Sequence, residues 1–357
     1  MSSTPPALDP PEVAPIREGE GFDERAVAAY LREHIPGLEG PMQAQQFPGG
    51  HANLTYLLRF GERELVLRRP PLGPVAPKSH DMAREYRVLS KLADHLPQAP
   101  RAFLLCEDPQ IMGAIFVVME RRHGMVIRGT VPPELDRHED GRRRASFALV
   151  DVIADFHRVD YVALGLSDLG KPEGFVERQV RGWNDRWQQA KHQDNALFDE
   201  LHAWLVDQLP STGRSSLVHN DLKFDNAMID PQNPDRVNAI LDWDMTTLGD
   251  PLIDLGTFLA YWVEEKDPPA RTATLSVTAL PGFPTRAELA SRYAARTGAD
   301  LSNIAWYEAF AHWKTAVVLQ QIYIRFRRGQ THDERFALMK DRVPVLIDIA
   351  ASTAGIR

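Results

Sequence analysis

Three polar side chains along one stretch define the chemistry this chain could perform. In Leu217-Val218-His219-Asn220-Asp221-Leu222-Lys223-Phe224-Asp225-Asn226-Ala227-Met228-Ile229 an Asp and an Asn stand five apart between two apolar runs. Further on, Ile240-Leu241-Asp242-Trp243-Asp244 ends a strand-like run on another carboxylate. Phosphoryl transfer needs this set: a carboxylate to orient and deprotonate an attacking hydroxyl, and a hard-oxygen pair to hold Mg²⁺ on nucleotide phosphates. A His-x-Asp alone is weak, but a structural Asp at a turn predicts neither the later Asn nor the strand-terminal Asp. Asp244, two residues beyond Asp242, is readable either as a second metal ligand or as a solvated turn carboxylate.

These residues must be positioned by a short hairpin. Ser216–Val218, Ala227–Ile229 and Val237–Leu241 are brief apolar runs, with turn residues Asp230, Pro231, Asn233 and Pro234 between the last two. Around them the pattern is helical, over Arg142–Val159, Gly174–Ala190, Ala196–Gln208, Leu252–Val263, Arg286–Thr297, Asn303–Arg327 and Asp333–Ala351. Upstream, Thr55–Phe60, Glu64–Arg69, Ala102–Cys106 and Ile115–Met119 read as strands, with one inserted helix over His80–Leu92 and another beginning at Asp23. The expected organisation is a tail over 1–20, a small nucleotide-binding lobe over 21–120, and a larger catalytic and substrate lobe over 121–357.

Composition narrows the classes. The 357 residues carry 41 Lys plus Arg against 49 Asp plus Glu, a net charge of −8 that disfavours nucleic acid as a partner. The run Arg142-Arg143-Arg144 follows Glu139 and Asp140 and reads as a solvated face. Cys106 is the one cysteine, so no internal disulfide or Cys-x-x-Cys metal site can form. The longest apolar run, Ala114–Met119, is far below the roughly 18 residues of a membrane span, and the first twenty residues lack an apolar signal core. A cytoplasmic protein without a membrane partner is expected; oligomeric state is not legible.

The chain resembles the aminoglycoside-phosphotransferase-like kinases, and most closely the phosphotransferase domain found fused to acyl-CoA dehydrogenases. The resemblance covers nearly everything from Phe47 to the C-terminal helices. It implies an α+β, two-lobed protein-kinase-like fold, with a small β-rich N-lobe and a larger, mainly helical C-lobe, using ATP and Mg²⁺. By the family pattern Asp221 is the catalytic base, Asn226 and Asp242 are metal ligands, and His219 packs beneath the loop. The family loop usually reads His-Gly-Asp, and Asn220 replaces the glycine here, which should change backbone freedom more than chemistry. The segment Gly249-Asp250-Pro251-Leu252-Ile253-Asp254-Leu255 matches another family segment, with Asp250 as a helix cap and Asp254 as a brace for the loop. His157 has a counterpart in the family and reads as a core or helix-end residue.

The small lobe must then meet the nucleotide. Phe47-Pro48-Gly49-Gly50-His51-Ala52-Asn53 is a glycine turn suited to covering phosphates with backbone N–H groups, so Gly49, Gly50 and Asn53 are candidates. In Leu65-Val66-Leu67-Arg68 the period of two puts Val66 and Arg68 on one face, Val66 to roof the adenine and Arg68 to reach the phosphates. The general kinase pattern has Lys at Arg68, whereas Arg is usual in the dehydrogenase-fused branch; Glu85 is its expected partner. Met119, Glu120 and Arg121 would form the hinge facing the base.

The expected activity is transfer of the γ-phosphoryl group to a hydroxyl of a small molecule. Two rivals stand beside it. One is a nucleotide-binding pseudokinase that senses or scaffolds, supported by Arg68 alone. The other is an acyl-CoA dehydrogenase, for which the kinase pattern leaves no room in 357 residues. From Ile240 to Arg357 there are 14 Asp plus Glu against 13 Lys plus Arg, too even a balance to select a polycationic aminoglycoside. Trp183, Trp187, Tyr261, Trp262 and Trp313 are expected as apolar walls, with Arg325, Arg327 and Arg328 as partners for an anionic group. An anionic, partly apolar hydroxylated acceptor such as a hydroxyacyl-CoA follows.

Overall fold

The computed structural model describes residues 12–48, 53–72, 81–268, 271, 276–331 and 334–357. It divides into two compact units, one reaching Arg122 and including Trp243–Met245, the other made of His123–Asp242 and Thr246–Arg357. Gly49 and Gly50 lie outside the described residues.

The first unit is built on an antiparallel sheet of order β1-β2-β3-β5-β4, comprising β1 (Met42–Gln46), β2 (Leu54–Phe60), β3 (Arg63–Arg69), β4 (Ala102–Cys106) and β5 (Phe116–Glu120). Leu65 and Leu67 of β3 join Leu58, Phe116 and Val118 in a core covered by α1 (Glu24–His34) through Val27, Ala28 and Leu31. Alternation turns Val66 and Arg68 to the opposite face. There α2 (Met82–Leu92) packs against β4 and β5, and its Glu85 meets Arg68. Cys106 is fully buried in this core.

Two features depart from the sequence reading. Strand β1 carries only a weak apolar pattern, because an edge strand is defined by its ladder to β2 rather than by its own burial. Residues 14–20, expected as tail, are tied to that edge. Ala14 and Gln46 exchange two backbone bonds of 2.8 Å, Arg17 N–H donates to Gln46 Oε1, and the Tyr56 hydroxyl donates to the Glu20 carbonyl at 2.6 Å.

The second unit is mainly helical, with α3 (Pro133–Asp136), α4 (Gly141–His157), α5 (Phe175–Ala190), α6 (Ala196–Asp207), α7 (Leu252–Tyr261), α8 (Arg286–Thr297), α9 (Ile304–Arg327) and α10 (Met339–Thr353). Over its first two-thirds α9 is buried nearly all round, as a helix apolar on every face must be. Its Trp313 stacks on Phe198, which stacks on Trp187, with ring centroids 4.9 and 4.0 Å apart. Gly256 allows α7 to approach α9, since a Cβ there would fall 2.5 Å from that of Tyr307. The basic run on α4 is solvated and paired: Arg142 with Asp136, Arg143 with Glu288, Arg144 with Asp235. Among the described residues no helix is long and apolar enough to cross a membrane.

Four short strands interrupt the helices. Strand β6 (Ser216–Val218) pairs with β9 (Thr247–Gly249), and β7 (Ala227–Asp230) with β8 (Asn233–Ile240), both antiparallel. The candidate loop thus runs from the end of β6 to the start of β7, and Asp242 follows the end of β8.

Candidate active site

Two positions on this frame have a left-handed backbone without being glycine: Asn220 at φ +70° and Asp242 at φ +68°. Strain of this kind survives only where surrounding bonds over-determine it. For Asn220 those bonds come from Asp254 on α7. Asp254 Oδ2 accepts the His219 N–H and Oδ1 the Asn220 N–H, both at 2.6 Å. His157 of α4 donates from Nε2 to Asp254 Oδ2 at 3.1 Å, with the Tyr293 hydroxyl on its Nδ1 at 2.8 Å. Burial alone would raise the Asp254 carboxyl, but the bonds from His157 and His219 outweigh it and hold it below the ordinary carboxylate range. Lys314 of α9 closes the other side, donating to the Asn220 carbonyl at 3.2 Å. Burial lowers its ammonium pKa.

The loop is joined to β8 by the residue before Asp242. Leu241 N–H donates to the Asn226 carbonyl at 2.8 Å, while the Leu241 carbonyl accepts His219 Nε2 at 2.9 Å. With Ala227 opposite Ile240, this brings Asn226 and Asp242 side by side at one end of the hairpin. Asp250, expected to cap α7, accepts the Leu252 N–H at 2.9 Å and also the Tyr307 hydroxyl at 2.7 Å. Burial pushes its carboxyl up.

Asp221 stands at the centre of this frame. Its carboxylate accepts Lys223 Nζ at 3.0 and 2.9 Å, Asn226 Nδ2 at 2.9 Å and the Tyr261 hydroxyl at 3.3 Å. Burial, and then the Asp221 charge, push Tyr261 up to about 12, so it remains a donor at neutral pH. Burial disfavours the Lys223 charge, but Tyr261 and Asp221 more than offset this and raise its pKa. Asn226 commits its amide nitrogen to Asp221, which leaves Oδ1 as the oxygen for a cation. One amide oxygen beside one carboxylate fits a hard divalent ion that takes its other ligands from phosphates and water. Among the described residues no group of three or more His, Cys, Asp or Glu could hold a metal by itself.

In the first unit, Arg68 and Glu85 form a buried ion pair, with Glu85 fully shielded from solvent. Asn53 is buried and donates to Asp244 at 3.0 Å, so this carboxylate is engaged by an amide rather than left as a solvated turn. Val66 pairs with Met119 across β3 and β5. Of the expected hinge, the Glu120 N–H already donates to the Arg101 carbonyl at 2.8 Å. The Arg121 side chain lies over Phe47 and binds Glu12 and the Arg122 carbonyl. These contacts fasten the Arg121 side chain at the end of β5.

Beside Asp221 the second unit opens into a cavity of about 680 Å³. Lys223, Tyr261 and Trp262 line it, with apolar walls from α9 and α10 that include Val318, Leu319, Leu346 and Ile349. Of the five aromatics expected as walls, Trp183, Trp187 and Trp313 are instead core, because the faces of α5 and α9 that carry them turn toward each other and toward α6. Arg325, Arg327 and Arg328 are exposed and do not line the cavity; Arg128 and Arg342 do. The sequence reading does not single out Lys223 or Lys314, and it has Tyr261 as an apolar wall rather than as a donor to Asp221. Lys223 lies inside the motif and was within reach of such a reading, whereas Lys314 is 94 residues from its partner with no local sign.

The phosphotransferase enzyme family (APH) matches residues 43–291. Acyl-CoA dehydrogenase family member 10 from Mus musculus is 34% identical over 328 residues, 90% of this chain and 30% of that protein. The human family member 11 is 31% identical over 352 residues, 96% of this chain and 44% of that one. The chain therefore spans under half the length of these relatives. The solved structure of a candidate aminoglycoside phosphotransferase from Ralstonia eutropha superposes with a TM-score of 0.78 at 29% identity, covering 94% of this chain and 99% of that one. The fold is α+β and protein-kinase-like, as the sequence resemblance implies, and the chain belongs to the phosphotransferase enzyme family.

Proposed function

We propose that the protein transfers the γ-phosphoryl group of MgATP to a hydroxyl of a small, partly apolar, anionic acceptor, with a hydroxyacyl-CoA as the leading class. The observation that carries this reading is the Asp221 carboxylate, held by three side-chain donors of which two, Lys223 and Tyr261, line the 680 Å³ cavity. Asp221 would take the proton of the attacking hydroxyl. The Tyr261 contact is the longest of its bonds, so the substrate hydroxyl would replace it, with Lys223 and Asn226 still fixing the carboxylate. Asn226 Oδ1 and Asp242 would hold Mg²⁺, which when bound to the nucleotide neutralises charge on its phosphates. Arg68, kept in place by Glu85, would meet phosphate as a fixed fork. Val66, Met119 and the backbone of Glu120 and Arg121 would offer the adenine surface, and Asn53, with Gly49 and Gly50, the phosphate turn.

Among the described residues the cavity is lined by two carboxylates, Asp225 and Asp341, against the basic Arg128, Lys223, Arg271 and Arg342, which favours an anionic acceptor over an aminoglycoside. The test is a MgATP assay comparing hydroxyacyl-CoA esters with kanamycin-type compounds, on wild type and Asp221→Asn. The wild type should turn over the esters. The variant should bind the nucleotide and lose about 10²- to 10⁴-fold in kcat, the usual share of a general base. Turnover of aminoglycosides alone, or full activity in the variant, would contradict the proposal.

A further inference from the structure

The wall formed by α9 is apolar apart from His312 and Thr315. His312, Thr315 and Leu319 follow one another at helical spacing and share the stripe that faces the cavity. Leu319 continues the apolar surface of Val318, Leu346 and Ile349, whereas His312 is only 4% exposed and its Nε2 has no hydrogen-bond partner among the described residues. A buried polar group left this way carries an uncompensated desolvation penalty, which a ligand supplying the missing partner would recover. Burial, then the charges of Arg271 and Arg286, push the His312 pKa down to about 3, so the ring is neutral and can offer an N–H without a charge. Those two guanidinium groups also favour an electron-rich atom over a cation. Arg271 is itself engaged by the Leu259 and Trp262 carbonyls and by Asp267, and Arg286 by Asp267. Nε2 is shielded from water, so contact with a ligand requires the ring to turn about its soft χ2 torsion toward the cavity that His312 lines.

We infer that His312 is a specificity-determining residue of the acceptor cavity, its Nε2–H donating to an uncharged oxygen carried on the apolar body of the acceptor a few bonds from the hydroxyl to be phosphorylated. The spacing follows from α9: Thr315 interacts with the Tyr261 hydroxyl, which touches Asp221, and His312 lies one turn away, about 5 Å along the axis. In a hydroxyacyl thioester that oxygen is the thioester carbonyl, so the inference rests on the proposed acceptor class and deepens it.

The experiment compares a hydroxyhexanoyl-CoA thioester with its carbonyl-free thioether, measuring affinity in the presence of a MgATP analogue and phosphoryl transfer with MgATP. The wild type should bind and turn over the thioester about ten- to a hundredfold better. In His312→Phe that ratio should fall to about one, and in His312→Gln, whose amide can donate, it should partly return. The ratio is read within each variant, and melting curves verify that each is folded. If His312→Phe keeps the preference, or the wild type phosphorylates both probes equally, the role of His312 is overturned while the kinase reading stands. If the wild type phosphorylates neither, the acceptor class fails, and this inference with it.

Discussion

The loop from His219 to Asn226 and the cavity wall one helix away are built on opposite rules. In the loop, Asp221 has donors on both oxygens, Asp254 serves two backbone N–H groups and a histidine, and the strained Asn220 is held on its N–H and its carbonyl. On the wall, the His312 Nε2 sits without a hydrogen-bond partner among the described residues. A group whose position sets a rate is held by bonds that exist before any ligand arrives. A group that tells ligands apart gains most when the ligand supplies its missing partner, because the analogue without that atom leaves it unpaired.

That contrast predicts where substitutions will hurt. The largest effect is expected for Asp254→Asn. An amide can accept on one atom only, so one of the two loop N–H groups would face an NH₂ donor inside the core. Breaking this network should cost about 3 to 5 kcal/mol, read by denaturant unfolding, with the loop released and phosphoryl transfer lost in parallel. A stability change under 1 kcal/mol would show that the loop does not depend on this brace.

A smaller effect is expected at Asn220, where the strain lies in the backbone. Asn220→Ala should destabilise by about 1 to 2 kcal/mol, since alanine pays the left-handed penalty in full, whereas Asn220→Gly should stay within about 1 kcal/mol of the wild type. Equal losses in both variants would place the role of Asn220 in its side chain instead.

The smallest concerns a cap remote from either region. Glu288 closes the capping box of α8 with Thr285 and pairs with Arg143. The Arg143 bond, then the Thr285 N–H, lower its pKa from 4.5 to about 2. Because the folded pKa is depressed, its contribution is present above about pH 4.5 and fades as pH falls through 2. Glu288→Gln should therefore lower the Tm slightly at neutral pH, with the gap to wild type closing in acid. A gap that stays constant down to pH 2 would mean the carboxylate charge is not what stabilises this end.

Local pattern made much of this legible. The alternation in Leu65-Val66-Leu67-Arg68 separates a core face from a polar one, and that is how Arg68 and Glu85 come to share a side of the sheet. Helix ends at Asp23, Thr285 and Thr297 follow from caps that are themselves local. The aromatic residues were read less well. Trp183 and Trp187 share a helix face, but which way that face turns depends on α6 and α9, whose packing spacing does not encode.

The amino-acid sequence by itself determined which groups can do chemistry here: Asp221, Asn226 and Asp242 are set by type and spacing along one hairpin. Only the tertiary structure decided what holds them and what stands beside them. Lys314 reaches Asn220 across 94 residues, Asp254 across 34, and His312 lines the cavity with Lys223 only because α9 packs alongside the loop. The physical reason is range. Caps, turns and strand alternation act over a few residues, whereas buried bonds and cavities are made by segments distant in sequence whose relative placement is settled by packing the whole core.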